Sequence, residues 1–292
     1  MDKIVFFNTK GGTGKTTICF NYGWYLAKNF NKKILFLDFD PQVSLVQALF
    51  KKAVIPKNKC LENLIVSSLE NNDIDFNEYI LKAGKNIDVL PSSNNISLLE
   101  EFLTEHLIEK SRQTDDVYHA WHRNLIIKNT LEKHLDASGY DYILIDSQPN
   151  YSLLSTTSLI FAKNIVIVLK PEIFSFLDIS YLKRIISNLE KKYHLSLNIA
   201  AVLINAYEKR KKASESVYEK FRHRYGNEFN LVNKKIRYLS HYQLSIMLNN
   251  EPVFTTFPFS EASLDMLDAF GEIDSFLNDI NEKKKVSFQK KY

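Results

Sequence analysis

Eight consecutive residues near the amino terminus, Lys10-Gly11-Gly12-Thr13-Gly14-Lys15-Thr16-Thr17, are the types that hold a phosphate chain. Glycines at three of four positions let the backbone curl so that successive N–H groups face one anion. Lys15 adds a mobile ammonium for the β and γ phosphates, and the Thr16 hydroxyl is placed to ligate Mg²⁺. A helix following the loop turns its positive end toward the same anion. Two carboxylates, Asp38 and Asp40, close an apolar run at residues 34–37, and Asp146 closes another, Tyr142-Ile143-Leu144-Ile145-Asp146. Acids at strand carboxyl ends lie where open α/β sheets place their ligands. Asp146 suits a carboxylate that holds Mg²⁺ through water, beside Thr16.

These groups must be positioned by strands and helices. Residues 4–8 form a short apolar run leading into the loop, and residues 16–30 carry apolar side chains at helical spacing, so the opening predicts strand, loop, helix. Pro41 suits the first turn of a helix through about residue 50. Residues 51–86 are polar and rich in Asn and Lys, and are expected to be connections and helices at a sheet edge. Further strands are expected at 87–90, 165–169 and 197–204, with helices at about 96–108, 177–193 and 261–277. Alternating strands and helices predict an α/β fold, a doubly wound, mainly parallel sheet flanked by helices on both faces. One domain over residues 1–280 and a basic, disordered tail over 281–292 complete the expectation.

A chain of 292 residues with 45% hydrophobic content buries a substantial core. Its two cysteines, Cys19 and Cys60, exclude a disulfide framework and a four-cysteine zinc site within one chain. Cys19 shares an apolar stripe with Tyr22 and Leu26 and reads as a small buried hydrophobe. His119 and His122 lie three apart without a third ligand, so a packing or solvated role outweighs metal binding. The start is too short for a signal peptide and no apolar run approaches a membrane span, which predicts a cytoplasmic protein. The net charge of +4 is unevenly spread: residues 208–237 hold ten Lys/Arg against four Asp/Glu. Residues 279–292 add five against two, so the rest of the chain is net acidic. Such a basic stretch attracts polyphosphate, although Lys-rich helix faces are also commonly just solvated.

The phosphate loop departs from the common template G-x-x-x-x-G-K-[ST]: Thr9 replaces the first glycine and a second lysine, Lys10, precedes the glycine pair. In this it resembles the deviant Walker A group, which includes the ParA and MinD ATPases and the nitrogenase iron protein. Pro91-Ser92-Ser93-Asn94 after a strand, the basic segment 233–240 and Glu251-Pro252-Val253 are similar to ParA (Soj)-type partition ATPases, so that the likeness spans residues 4–277. It implies that Lys10 reaches across a dimer interface to the partner's nucleotide and that Asp40 helps activate the attacking water. It implies adenine recognition by Asn205, whose donor and acceptor suit N6 and N1, while a strand-end Asn is also an ordinary turn former. Arg237 matches an arginine that binds DNA in the family, joined by Lys211, Lys212, Arg222, Arg224, Lys234 and Lys235 from the basic stretch. The family usually has two prolines after the aspartate equivalent to Asp146; here only Pro149 matches and Gln148 replaces the first.

The function so implied is ATP hydrolysis with ATP and Mg²⁺, weak unless stimulated by a partner and DNA. An ATP-dependent homodimer would bind double-stranded DNA without sequence preference and segregate chromosome or plasmid DNA with a ParB-like centromere-binding protein. The resemblance places such a protein in the cytoplasm, on the nucleoid. A MinD-like or cargo-positioning switch on another surface is the alternative; stable membrane association is not expected, because the basic tail has few large apolar residues. An iron-protein reductase would need paired cysteines to bridge a cluster. A nucleotide-binding adaptor that hardly hydrolyses ATP is the further alternative that Gln148 raises.

Overall fold

The computed structural model describes residues 1–51, 56, 58–70, 73–114, 117–136, 138–172 and 175–289. Its strands are β1 (Asp2–Phe7), β2 (Ile34–Phe39), β3 (Leu81–Gly84), β4 (Ile87–Leu90), β5 (Tyr142–Ser147), β6 (Asn164–Leu169) and β7 (Asn198–Ile204). The first helices are α1 (Lys15–Phe30), α2 (Ser44–Leu49), α3 (Leu61–Leu69), α4 (Leu99–Thr114) and α5 (His122–Leu135). There follow α6 (Leu153–Ala162), α7 (Ser175–Tyr193), α8 (Lys212–Tyr225), α9 (His241–Asn249), α10 (Val253–Thr256) and α11 (Glu261–Gln289).

The strands form one sheet in the order β3-β4-β2-β5-β1-β6-β7. All neighbours are parallel except the β3–β4 pair. Parallel strands need both faces covered, which is why β2 and β6 are buried along their whole length and apolar apart from Asp38 and Asn164. On one face Leu64, Leu103, Leu131, Phe161 and Leu182 pack from α3 to α7. On the other, Ile18, Tyr22, Val46, Phe270 and Ile273 pack from α1, α2 and α11. β1 lies between β5 and β6; the chain runs from β1 to β2 on one side and later crosses from β5 to β6 on the other. The carboxyl ends of β1, β2, β5, β6 and β7 therefore converge on one crevice.

The doubly wound, mainly parallel sheet is as expected from sequence; several local elements differ. β3 was hidden in the polar stretch because Leu81-Lys82-Ala83-Gly84 has little strand character of its own; a tight turn at Asn86, with φ 62°, folds it antiparallel onto β4. α2 starts at Ser44 and not at Pro41, because the Asp38 carboxylate takes the Val46 N–H and Val43 adopts φ 55° at the cap. The basic segment 233–240 holds one isolated bridge, Tyr207 with Arg237. α11 runs to Gln289, through most of the stretch expected to be a disordered tail. Ala269, Phe270, Ile273 and Leu277 bury its inner face, and the Asn281 amide donates to Asp2 at 3.3 Å, so the last turns continue an anchored helix. Residues 290–292 of that tail lie outside the described residues.

Close packing of α1 on the sheet depends on Gly23, where an added Cβ would overlap the Phe36 ring and press on Leu144 at 3.1 Å. Gly23→Ala is expected to destabilise the chain by about 1–3 kcal/mol through overpacking. A urea unfolding curve with a lowered midpoint and unchanged slope would register it.

Candidate phosphate-binding site

The loop between β1 and α1 is braced from three sides. Asn8, buried, donates from Nδ2 to the Val168 carbonyl on β6 at 2.7 Å and accepts the Lys10 N–H on Oδ1 at 3.0 Å. Asn205, just past β7, donates from Nδ2 to the Thr13 carbonyl at 2.7 Å. The Asn150 N–H donates to the Thr9 carbonyl at 2.9 Å. Gly14 caps α1 with φ 92°, a left-handed conformation, and any side chain there would overlap the Asn205 carboxamide. Gly11 and Gly12 are exposed to the crevice, Thr13 is buried, and Thr16 and Thr17 sit half-buried in the first turn of α1.

Charge is concentrated around this loop. Lys15 is 6% exposed and donates to the Lys10 carbonyl at 3.1 Å, across the mouth of the loop. Burial lowers its pKa, against the pull of Asp146 and Asp40. Lys10 is 40% exposed and its Nζ lies 2.9 Å from Oδ2 of Asp178, in the first turn of α7. Asp146 is fully buried at the end of β5, and neither carboxylate oxygen has a hydrogen-bond partner. Burial pushes its pKa up to about 7, opposed by the neighbouring Thr16 hydroxyl and the Lys15 ammonium. Asp38 stands opposite Asp146 in the β2–β5 register, equally buried, and accepts the Asp40 and Val46 N–H groups at 3.1 and 3.3 Å. Burial and then the Asp146 charge raise its pKa well above the carboxylate range. Asp40, half-exposed, folds its Oδ1 back onto the Gln42 N–H at 2.9 Å.

An orphaned, buried carboxylate beside a threonine hydroxyl fits a hard divalent cation, which takes oxygen ligands and keeps several waters. Thr16 and Asp146 are the residues that would hold Mg²⁺. Among the described residues no group of three or more His, Cys, Asp or Glu is placed to hold a metal by protein ligands alone. His119 and His122 stack on one another and on Trp121, with His122 Nδ1 at 2.8 Å from the His119 N–H. Cys19 and Cys60 are both buried thiols.

Gln148, the departure from the proline pattern, donates from Nε2 to the Ser152 hydroxyl. Ser152 is the cap of α6, in a reciprocal pair with Ser155. The segment after Asp146 is thus held by side-chain bonding in place of a second proline.

The basic residues divide into two groups. Arg237 bonds Asp265 through Nε at 2.6 Å and through a terminal nitrogen at 2.9 Å, and pairs with Glu261 at 2.5 Å. Lys234 lies 2.6 Å from Asp268 and 3.3 Å from Asp265. Lys235 pairs with Glu215 at 3.3 Å and lies over the Tyr218 and Tyr207 rings at 4.0 and 4.6 Å. These three are tied into the fold by acids from α8 and α11. Lys211, Lys212, Arg222 and Arg224 are instead exposed on α8 or at its start, Lys211 paired with Glu208. A groove of about 920 Å³ separates α8 from residues 170–172, lined also by Ala206, Lys211 and Tyr238.

Asn8, Lys170 and Asp178 also border the loop, and no motif in the sequence marks them. Asn8 and Lys170 follow strands that meet at the crevice, a signal that strand order alone supplies; Asp178 is found by its distance to Lys10 and has no local mark. Asn205→Ala removes the brace on Thr13 and is expected to weaken binding of a fluorescent ATP analogue by roughly three- to tenfold, the worth of one net hydrogen bond. Unchanged affinity would detach Asn205 from the loop's function.

The AAA_31 family, described as an AAA domain, matches residues 1–199. The virulence plasmid ParA family protein pGP5-D of Chlamydia muridarum is 27% identical over 282 residues, 95% of this chain and 94% of the relative. The chromosome-partitioning ATPase Soj of Treponema pallidum is 26% identical over 230 residues, 78% of this chain and 81% of that one. Among solved structures, an ATP complex of a Cyanothece McdA variant superposes with a TM-score of 0.75 at 20% identity, covering 95% of this chain and 96% of the other. A plasmid partition protein of Borrelia burgdorferi bound to AMPPNP gives a TM-score of 0.67 at 20% identity, over 95% and 98%. No helix among the described residues is long and apolar enough to cross a membrane. With the double-lysine loop, the buried aspartate pair and the strand order in place, the chain belongs to the ParA/Soj-type partition ATPases of the deviant Walker A family.

Proposed function

We propose that this chain is an ATP hydrolase that dimerises around ATP, binds DNA without sequence preference and works with a ParB-like partner to segregate plasmid or chromosome DNA. The observation that carries the reading is Lys10, a second loop lysine whose ammonium is paired with Asp178 on the rim of the crevice. A cation on a rim, paired with a carboxylate, can be delivered to a neighbouring subunit's phosphates.

The division of labour follows from position. The loop N–H groups and Lys15 bind the phosphates, with Asn8 and Asn205 fixing the backbone that presents them. Thr16 and Asp146 would hold Mg²⁺, which would supply neutralisation of the phosphate charge. Asp40 orients the attacking water from the end of β2, after its carboxylate leaves the Gln42 N–H. Lys10 of each subunit supplies charge to the other's nucleotide, which makes dimerisation a condition of hydrolysis. Turnover is slow without stimulation, because the water-side groups are held by local bonds: Asp40 to Gln42, and Gln148 to Ser152. The adenine-recognition role of Asn205 uses what its Thr13 bond leaves over, the carbonyl and the second amide hydrogen. The single domain acts in the cytoplasm, on the nucleoid.

DNA binding is carried by the exposed cations of α8 and its start, Lys211, Lys212, Arg222 and Arg224. Lys234, Lys235 and Arg237 are secondary, since a phosphate would have to compete with Asp265, Asp268 and Glu215 for them. Two copies of α8 in a dimer raise DNA affinity through avidity, which links it to ATP.

Two measurements test this. In an Asp40→Ala background, expected to hold the ATP dimer, Asp178→Asn removes the carboxylate paired with Lys10 and should bring the dimer to lower ATP concentration in size-exclusion chromatography with light scattering. A persistent monomer with ATP in both variants contradicts the dimer reading. Replacing Lys212, Arg222 and Arg224 together by Glu should weaken ATP-dependent retention of nonspecific duplex DNA by roughly tenfold or more and flatten its salt dependence. Retention equal to the unmodified chain would place the DNA surface elsewhere.

A further inference from the structure

We propose that Lys170 is a third cation of the nucleotide site, its ammonium contacting the phosphate chain of ATP held in the loop. The inference rests on the reading of that loop as an ATP site. Lys170 directly follows β6, which pairs in parallel with β1 so that Phe7 stands opposite Ile167. The side chain therefore leaves the sheet at its carboxyl edge, beside the first residues of the loop. Its Nζ is the one heavy atom that a Cβ on Gly12 would meet, at 3.9 Å. The ammonium thus lies over the second glycine of the cradle, on the side of the groove beneath α8.

The backbone that presents Lys170 is fixed. Its carbonyl accepts the Glu172 N–H at 2.8 Å and the Ser175 hydroxyl at 2.5 Å, and the Asn205 N–H donates to the preceding Leu169 carbonyl at 2.7 Å. The same Asn205 braces Thr13, so Lys170 and the loop are referred to one anchor. Among the described residues Lys170 has no ion pair. The nearby acids are otherwise placed: Asp178 is paired with Lys10, Glu208 with Lys211, and Glu172 is exposed on the groove wall without pairing to Lys170.

The three lysines of the site are consequently in different states. Lys15 is bonded to a loop carbonyl, Lys10 to a carboxylate, and Lys170 stands over the cradle without a counter-ion. An unneutralised ammonium beside converging N–H groups is stabilised by an anion lying between them, through charge-assisted hydrogen bonding. The competing account is that the lysine stem merely covers Pro171 and Ala206 while its head is solvated. That account requires no dependence of nucleotide affinity on the charge at this position.

Isothermal titration of the full chain with MgATP, at low and high salt, separates the two. Lys170→Ala is expected to weaken MgATP binding by roughly tenfold at low salt, the worth of one hydrogen bond to a charged group. Lys170→Arg should stay within about threefold of the unmodified chain, because a guanidinium also binds phosphate. The difference between the Ala and unmodified chains should shrink at high salt. Melting of the nucleotide-free chains should be unchanged, and Lys170→Gln replaces the Ala variant if the latter does not fold. Equal affinity of the unmodified and Ala chains overturns the role of Lys170 alone. An Arg variant as weak as the Ala variant also overturns it, in favour of packing. An unmodified chain with no affinity for MgATP overturns the nucleotide reading and this inference with it.

Discussion

A fully buried carboxylate without a hydrogen bond is among the costliest arrangements a protein interior can contain, and Asp146 is one. Asp38, equally buried, faces it across the β2–β5 pair, so two carboxylates share a space from which water is largely excluded. Both pKa values are raised as a consequence, with burial the first cause in each case. The Lys15 ammonium relieves part of this, while its own burial lowers its pKa. The interior of the crevice is therefore short of positive charge on one side, at Asp146, and short of negative charge at the loop amides. A divalent cation and a phosphate chain meet both needs together. The neighbouring sheet tolerates the cost because β2, β5 and β1 are otherwise apolar and closely packed.

That constraint explains the bracing of the loop. A glycine-rich segment presenting N–H groups has little side-chain packing to hold it, and it gains affinity only if its shape is set before the ligand arrives. Asn8 ties its start to β6, Asn205 ties its middle to the end of β7, and the Asn150 N–H ties Thr9 to the segment after β5. Three asparagines thus connect the loop to three different strand ends. The Asn150 bond means that the segment carrying Gln148 and Pro149 cannot shift without disturbing the entrance to the loop. It is a short mechanical link between the water side and the phosphate side of the crevice.

The parts of this site that could be read in the sequence are those encoded locally. Lys10 to Thr17 identify themselves by type and spacing, and Asp40 and Asp146 by closing apolar runs that can only be buried strands. The parts that could not be read are those set by distant residues. α2 begins late because Asp38, eight residues before Val46, claims its N–H. β3 exists because a turn lays it against β4. α9 was not anticipated, since Leu244, Met247 and Leu248 leave a largely exposed apolar face and so no core stripe to recognise. The tail reads as disordered from its composition, yet the buried face of α11 up to Leu277 carries helical geometry on to Gln289.

Charge shows the same limit most sharply. Counted along the chain, residues 208–237 are strongly basic, and every cation in them is an equal candidate for a nucleic-acid surface. Counted in space, Asp265 and Asp268 of α11 sit against Lys234, Asp265 and Glu261 pair with Arg237, and Glu272 accepts the backbone N–H of Lys234. Asp265 is 1% exposed, so offering the Arg237 guanidinium to a phosphate would leave a buried carboxylate with Lys234 as its remaining charged partner. A solvent-screened phosphate contact would have to offset the loss of that two-point, largely desolvated pair. The exposed cations of α8 involve no such exchange. Arg237 is thereby engaged by the fold, while the cations of α8 stay exposed to solvent.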